Sequence, residues 1–152
     1  MRIDSQVEPL VREALAAAIA RDPQRSGQAA QAIADQGSDA FQYAAGLCVA
    51  IDAFALFDLH GGRPTDDAIG SLAASFAQME TWADIDDQTA RTFLTAIADQ
   101  RDPTAVLPAD VAVRTSFVIG GWLLSAFPPE ERGWEEFLDE ALAALEAAPD
   151  RP

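Results

Sequence analysis

Apolar residues recur at helical spacing along almost the whole chain, and this pattern constrains the fold more than any other feature. No stretch alternates between apolar and polar residues as a half-buried strand would. With 152 residues, 49% of them hydrophobic, the chain has the length of one domain and can bury about two-thirds of its unfolded surface. The sequence therefore predicts a single all-α domain over residues 1–152. We expect a compact bundle of six to seven helices, with residues 147–152 as a frayed tail.

Two of the predicted helices, around residues 39–59 and 109–127, are apolar on all sides. A helix without a polar face is normally buried by its neighbours, so we expect these two to be central and buried. Gly120 and Gly121 lie in the middle of the second helix. Glycine weakens a helix interior, so the pair predicts either close packing against another helix or a kink.

The charge of the chain excludes several classes of partner. It contains 25 Asp and Glu residues against 10 Lys and Arg, giving a net charge of −15, and all ten cations are arginine. A negative field repels phosphate backbones and anionic lipids, so we expect no nucleic-acid or membrane partner. The absence of Lys and Asn beside abundant Ala is typical of a GC-rich coding sequence and favours a bacterial source.

The single cysteine, Cys48, excludes an internal disulfide and a cysteine-built zinc site. Its apolar neighbours Leu47 and Val49 predict a buried thiol with a raised pKa. The first residues lack an apolar signal segment, and the uncharged run at 115–127 is shorter than the ~18 residues that a membrane span needs. These features predict a cytoplasmic protein.

Asp52 and Arg114 are charged residues within the two apolar helices. The helical neighbours of Asp52, such as Cys48 and Ala55, are apolar, and burying an unpaired charge costs several kcal/mol. We therefore predict that the two helices face each other and that Asp52 and Arg114 form a buried ion pair. The alternative is that both residues line a pocket between the helices and orient a ligand.

One short acidic motif invites a catalytic interpretation. The sequence Asp84-Ile85-Asp86-Asp87 resembles the acid motif of class II terpene cyclases, in which the middle aspartate protonates an alkene inside a deep aromatic cavity. The resemblance covers these four residues, and a chain of 152 residues lacks the paired helical barrels that build such a cavity. Clustered aspartates before a helix are also typical of helix N-termini, and we interpret the motif as capping residues.

No other constellation predicts catalysis or a bound cofactor. Asp58 and His60, with Asp66 and Asp67 nearby, offer metal-binding side chains, but no second histidine and no calcium-loop spacing accompany them. We therefore expect no metal and a surface histidine. Four serines lie inside predicted helices without a nucleophile elbow: Ser71, Ser75, Ser116 and Ser125. The chain is therefore predicted not to be an enzyme and to use no cofactor.

These exclusions favour a non-enzymatic interaction or scaffold domain that binds a protein partner or forms a homodimer. Trp82, Trp134 and Phe137 are the candidate interface anchors, because exposed aromatic residues dominate binding energy. The alternative is a small-molecule domain with a pocket for an apolar ligand between the two central helices. A cavity on the order of several hundred Å³ would favour that alternative. An enzyme without a cofactor and an acidic mimic of nucleic acid are less favoured hypotheses.

Overall fold

The computed structural model describes residues 1–127 and 132–148, and these residues form helices without any strand. The helices are α1 (Glu8–Ile19), α2 (Pro23–Ala34), α3 (Ser38–His60), α4 (Asp66–Met79), α5 (Asp87–Ala98), α6 (Ala109–Ala126) and α7 (Trp134–Ala147). The predicted all-α bundle is confirmed. The predicted opening of the last helix at 128–131 lies outside the described residues. So does the tail at 149–152, whereas Ala147 is the last residue of α7.

Helix α6 is the centre of the bundle. All residues from 115 to 124 are buried, and α6 packs against α1, α3, α5 and α7. Two further pairs of helices, α1 with α2 and α4 with α5, pack closely against each other. Since its sequence is apolar on every side, α6 can be covered from several directions at once, and its predicted burial is confirmed.

The two glycines of α6 allow its neighbours to approach closely. A Cβ atom at Gly120 would overlap Oδ1 of Asp52 on α3 and lie 2.9 Å from Cδ2 of Leu15 on α1. A Cβ atom at Gly121 would lie 3.1 Å from that of Ala18. Of the two structures that the glycines predicted, close helix packing is therefore the one observed.

Helix α3 is buried on one face and half-open on the next. Its buried residues form a single stripe: Ala44, Leu47, Cys48, Ile51, Asp52, Ala55 and Leu56. Beside this stripe, Phe41, Val49, Phe54 and Phe57 are only half-buried and Gly46 is exposed. Although α3 packs against α1, α2, α5, α6 and α7, no described helix covers this second face. We expected α3 to be buried on all sides, and the structure buries only one of its faces.

Helix α3 is also the one helix of the described residues that is long and apolar enough to cross a membrane by length and composition alone. Only 39% of its most apolar window is buried in the bundle. A core helix with one uncovered face meets the same criteria. The expectation of no membrane partner stays a prediction.

We expect Gly120→Ala to lower the free energy of unfolding by about 1–3 kcal/mol, because its Cβ overlaps buried atoms of Asp52 and Leu15. The control is Gly46→Ala, at an exposed position on α3 where no atom lies within 4 Å of a Cβ. It should raise stability by about 0.5–1 kcal/mol. Urea unfolding followed by far-UV circular dichroism measures both changes. Equal stabilisation of the two variants would contradict close packing at Gly120.

Candidate functional site

A groove of about 1020 Å³ lies between α3 and the first half of α6. The end of α5 and the connection at 100–104 complete the wall on the α6 side, and Leu145 of α7 contributes at another point. The larger apolar side chains in the walls are Phe41, Val49, Phe54, Phe57, Ile97, Val113 and Leu145. The groove lies between the two central helices, where the alternative interpretation of the sequence placed a pocket.

The sequence of α3 explains the shape of the groove. Phe41 lies at one end of its lining stripe, and Phe54 and Phe57 lie at the other. Between them the stripe consists mainly of small residues: Ala45, Gly46, Ala50 and Ala53. Large side chains at the ends and small ones in the middle leave a trough along the helix surface.

Contacts in the core fix the direction of the two walls. Cys48 Sγ lies 3.4 Å from the carbonyl oxygen of Ser116, and one turn later Asp52 meets Gly120. Helices α3 and α6 therefore run parallel, because residue numbers rise together along the contact. Ser116 lines the groove as well, so the floor of the groove lies directly over the buried core.

Most of the polar lining residues gather at one margin of the groove. Apart from Gln42 and Ser116, they belong to the connection between α5 and α6: Gln100, Arg101, Asp102 and Thr104. Asp102 Oδ1 accepts hydrogen bonds from the backbone nitrogen and Oγ1 of Thr104, at 2.9 and 2.8 Å. The rest of the groove surface is largely apolar.

Arg101 is a cation without a counterion at this margin. The backbone is held in place because Gln100 adopts a left-handed conformation, with φ of 57°, and the Arg101 nitrogen donates to the carbonyl of Ala96 at 2.8 Å. The Arg101 side chain is exposed. Within residues 1–127 and 132–148 its guanidinium makes no ion pair or side-chain hydrogen bond.

Asp52 lies behind the groove wall and is fully buried. Its Oδ1 atom is 3.8 Å from Cys48 Sγ, and its Oδ2 atom has no hydrogen-bond partner. Burial therefore raises the pKa of the Asp52 carboxyl well above its ordinary value of 3.8. Burial, followed by the nearby Asp52 carboxyl, also raises the pKa of the Cys48 thiol well above 9.0. The predicted buried thiol is confirmed.

The predicted ion pair between Asp52 and Arg114 is wrong. Arg114 is exposed and, two residues before Ser116, points about 200° around α6 from the side that faces α3. It borders a polar pocket of about 760 Å³ with the acidic motif at 84–87. Neither Asp52 nor Arg114 lines the groove. At Gly120 the helices are too close for a cation to lie beside Asp52. Because the buried carboxyl has no charge partner there, its pKa is raised.

The acidic motif at 84–87 begins helix α5. Asp86 Oδ1 accepts a hydrogen bond from the backbone nitrogen of Thr89 at 2.8 Å, and Asp87 lies in the first turn. Hydrogen bonds from Thr89 lower the pKa of Asp86. The interpretation of this motif as a helix cap is confirmed.

Phe137 is not an interface anchor, because it is fully buried. Its ring packs edge-to-face on Phe54, with centroids 6.5 Å apart, and the guanidinium of Arg132 lies 4.2 Å from its centroid. Trp134 is half-buried and packs against the core. Phe137 therefore supports the wall of the groove through Phe54 and is not exposed to a partner.

Trp82 is half-buried and has a structural partner that the sequence did not reveal. Its Nε1 donates to Glu80 Oε2 at 2.7 Å, and Arg21 Nε donates to the same oxygen at 3.0 Å. Glu80 is only 5% exposed. Trp82 thus satisfies a buried carboxylate, and only its remaining surface is open to a partner.

The residues considered for a metal site do not converge. His60 is exposed, and its Nδ1 atom lies 2.8 Å from the Leu56 carbonyl oxygen. Asp58 Oδ2 lies 3.7 Å from a guanidinium nitrogen of Arg132. Across residues 1–127 and 132–148, no group of three or more His, Cys, Asp or Glu side chains is placed to hold a metal ion.

Comparisons of the chain with protein-family models, with curated proteins and with solved structures found no match. The function must therefore be argued from the geometry of the groove. Sequence reasoning missed Arg101, although one signal was present. Asp102-Pro103 marks the end of a helix, and Arg101 directly precedes it.

The buried carboxyl of Asp52 makes stability depend on pH. Between pH 3.8 and the raised pKa of the native state, the folded protein keeps a proton that the unfolded chain releases. The free energy of unfolding therefore falls as pH rises, by up to about 1.4 kcal/mol per pH unit from this group. Asp52→Asn removes this titration, so we expect its stability relative to wild type to rise across that window. Urea unfolding from about pH 4 to 8 measures the difference.

Asp86→Asn is the matched control for Asp52→Asn and should behave with the opposite sign. Because the pKa of Asp86 is lowered in the folded protein, its carboxylate contributes stability above pH 3.8 that is lost as the pH falls through the lowered pKa. The advantage of wild type over Asp86→Asn should therefore stay nearly constant from about pH 8 to 4 and shrink below pH 3.8, so this pair is also measured down to about pH 2. A pH-independent difference between wild type and Asp52→Asn would contradict the neutral buried carboxyl.

Proposed function

We propose that the protein is a non-catalytic binding protein that holds a small apolar molecule in the groove between α3 and α6. The observation that carries this proposal is the groove itself, with about 1020 Å³ of space between largely apolar walls. Small-molecule sites typically measure about 300–1,000 Å³ and combine apolar walls with a few polar groups. Such a volume favours a small-molecule domain over a pure interaction domain.

The walls of the groove are supported from behind, which favours a preformed site. The Phe54 ring rests on Phe137, and Cys48 and Ser116 join the two helices beneath the floor. A preformed site loses less conformational entropy when a ligand binds. Burying the half-open apolar wall contributes roughly 25 cal/mol for each Å² removed from water.

The chemistry near the groove supports binding and not catalysis. The hydroxyls in the groove lining are engaged within the protein, since Ser116 donates to the Val113 carbonyl oxygen and Thr104 donates to Asp102. Cys48 and Asp52 are both fully buried and do not line the groove. The raised pKa of Cys48 keeps it as a thiol, which is a poor nucleophile. A ligand in the groove would therefore contact neither group.

The test uses Nile red, a neutral apolar dye, with the full chain. Ala53→Trp places a large side chain in the groove, and we expect it to weaken dye binding roughly tenfold or more. Ala34→Trp is the control and should bind like wild type, because Ala34 is exposed at the end of α2 and does not line the groove. Dye fluorescence titrations give both affinities. Equal binding by the Ala53→Trp variant, or no binding by wild type, would contradict the proposal.

A second candidate function is self-association through the same face of α3. Gly46 is exposed in the middle of the apolar stripe, and no atom lies within 4 Å of a Cβ built on it. Its neighbours Ala45, Ala50 and Ala53 are also small, so a helix of a second copy can approach closely. The homodimer considered from the sequence would then bury this face.

Sedimentation velocity distinguishes the two functions. If α3 forms a dimer interface, wild type should sediment as a dimer and Gly46→Glu as a monomer, because the variant buries an unpaired charge. Gly27→Glu on α2 is the control, since Gly27 is also exposed with no atom within 4 Å of its Cβ position. A monomeric wild type would rule out this second function.

A further inference from the structure

We infer that the ligand of the groove is an amphipathic monocarboxylate, with an apolar body along α3 and its carboxylate on Arg101. This inference rests on the proposed function and names the class of ligand that the same groove takes.

The distribution of polar residues predicts a ligand with one polar end. The α3 wall is apolar from Phe41 to Phe57 apart from Gln42, a distance of about 24 Å at 1.5 Å per residue. Gln100, Arg101 and Thr104 lie together at the opposite margin. A wholly apolar ligand would leave these groups without new partners, whereas an amphipathic one uses both surfaces.

The charge at this margin gives the sign of the polar end. Arg101 is the one cation among the described residues that line the groove. Five arginines of the described residues are engaged in ion pairs: Arg12, Arg21, Arg25, Arg63 and Arg132. Four others are exposed and make no ion pair within the described residues: Arg2, Arg91, Arg101 and Arg114. Of these four, Arg101 is the one in the groove lining. Its guanidinium is therefore available to an anion from outside the chain.

Asp102 is the one acidic residue that the structure places in the groove lining, and within the described residues it forms no ion pair with Arg101. Its Oδ1 atom accepts hydrogen bonds from the backbone nitrogen and hydroxyl of Thr104. The net charge of −15 opposes an anion at long range, but screening at physiological ionic strength limits that repulsion to about 8 Å. An anion in contact with Arg101 is closer to the guanidinium than this distance, so its attraction to Arg101 is only weakly screened.

A single guanidinium matches a singly charged head group. The planar fork of an arginine binds both oxygens of a carboxylate through two parallel hydrogen bonds. A phosphate monoester carries nearly two charges at neutral pH and three acceptor oxygens, and no second cation of the described residues lines this margin. The structure therefore favours a carboxylate over a phosphate.

The experiment measures displacement of Nile red by decanoate and by 1-decanol, which have the same chain and differ in the charge of the head group. We expect decanoate to displace the dye from wild type at roughly tenfold lower concentration than decanol. Arg101→Gln should abolish this difference and leave decanol unchanged. Arg91→Gln is the matched control, because this substitution removes the same charge at another site. Arg91 is exposed on α5 and does not line the groove.

Each result separates this inference from the proposed function. Equal displacement by decanoate and decanol, unaffected by Arg101→Gln, would overturn the carboxylate assignment while the apolar site stands. Stronger displacement by decyltrimethylammonium would overturn the sign of the head group. Absence of Nile red binding would instead contradict the proposed function itself.

A final measurement distinguishes a free carboxylate from an anionic lipid surface. The full chain is sedimented with vesicles of phosphatidylglycerol, and we expect it to stay in the supernatant because of its negative charge. Cosedimentation that Arg101→Gln abolishes would overturn the assignment to a free monocarboxylate.

Discussion

The close contact of α6 with α1 and α3 at Gly120 determines much of the remaining structure. Because the glycines carry no side chain, Leu15 and Asp52 reach the backbone of α6 directly. This leaves no room for a cation beside Asp52, and an ionised carboxylate there would cost several kcal/mol. Burial instead raises the pKa of the Asp52 carboxyl, which has Cys48 as its neighbour. Close packing and a raised carboxyl pKa are two consequences of the same pair of glycines.

The groove follows from the way that α6 is covered. Helix α6 is covered by α1, α3, α5 and α7, whereas α3 meets α6 through a single stripe and leaves its next face half-open. Small residues along that face, with Phe41 at one end and Phe57 at the other, turn it into a trough. An apolar surface of this kind favours aggregation unless something covers it, and the high net charge of the chain opposes non-specific association. The apolar residues on this face are therefore better explained by a specific ligand that covers them than by permanent exposure to solvent.

The periodicity of the sequence predicted the helices, the burial of α6 and Cys48, and the cap at Asp86, because these depend on local pattern. It did not predict the side on which each charge lies. Arg114 has apolar neighbours in sequence, yet Val111 and Val113 beside it are themselves only half-buried. A helical pattern shows which residues share a face, but the packing of other helices decides which face is covered. Phe137 was misassigned for the same reason, since its burial depends on α3.

The two buried acidic residues, Glu80 and Asp52, differ in whether a partner can reach them. Glu80 lies near the surface, where Arg21 and Trp82 can reach it, whereas Asp52 lies at a helix contact that no cation can enter. Exposed charges of the described residues are not all paired, since Arg91 and Arg114 are exposed and make no ion pair there. Arg101 is also exposed and unpaired within the described residues, and it is the one of these arginines that lines the groove. The proposed carboxylate ligand rests on this combination of an unpaired cation and an apolar groove.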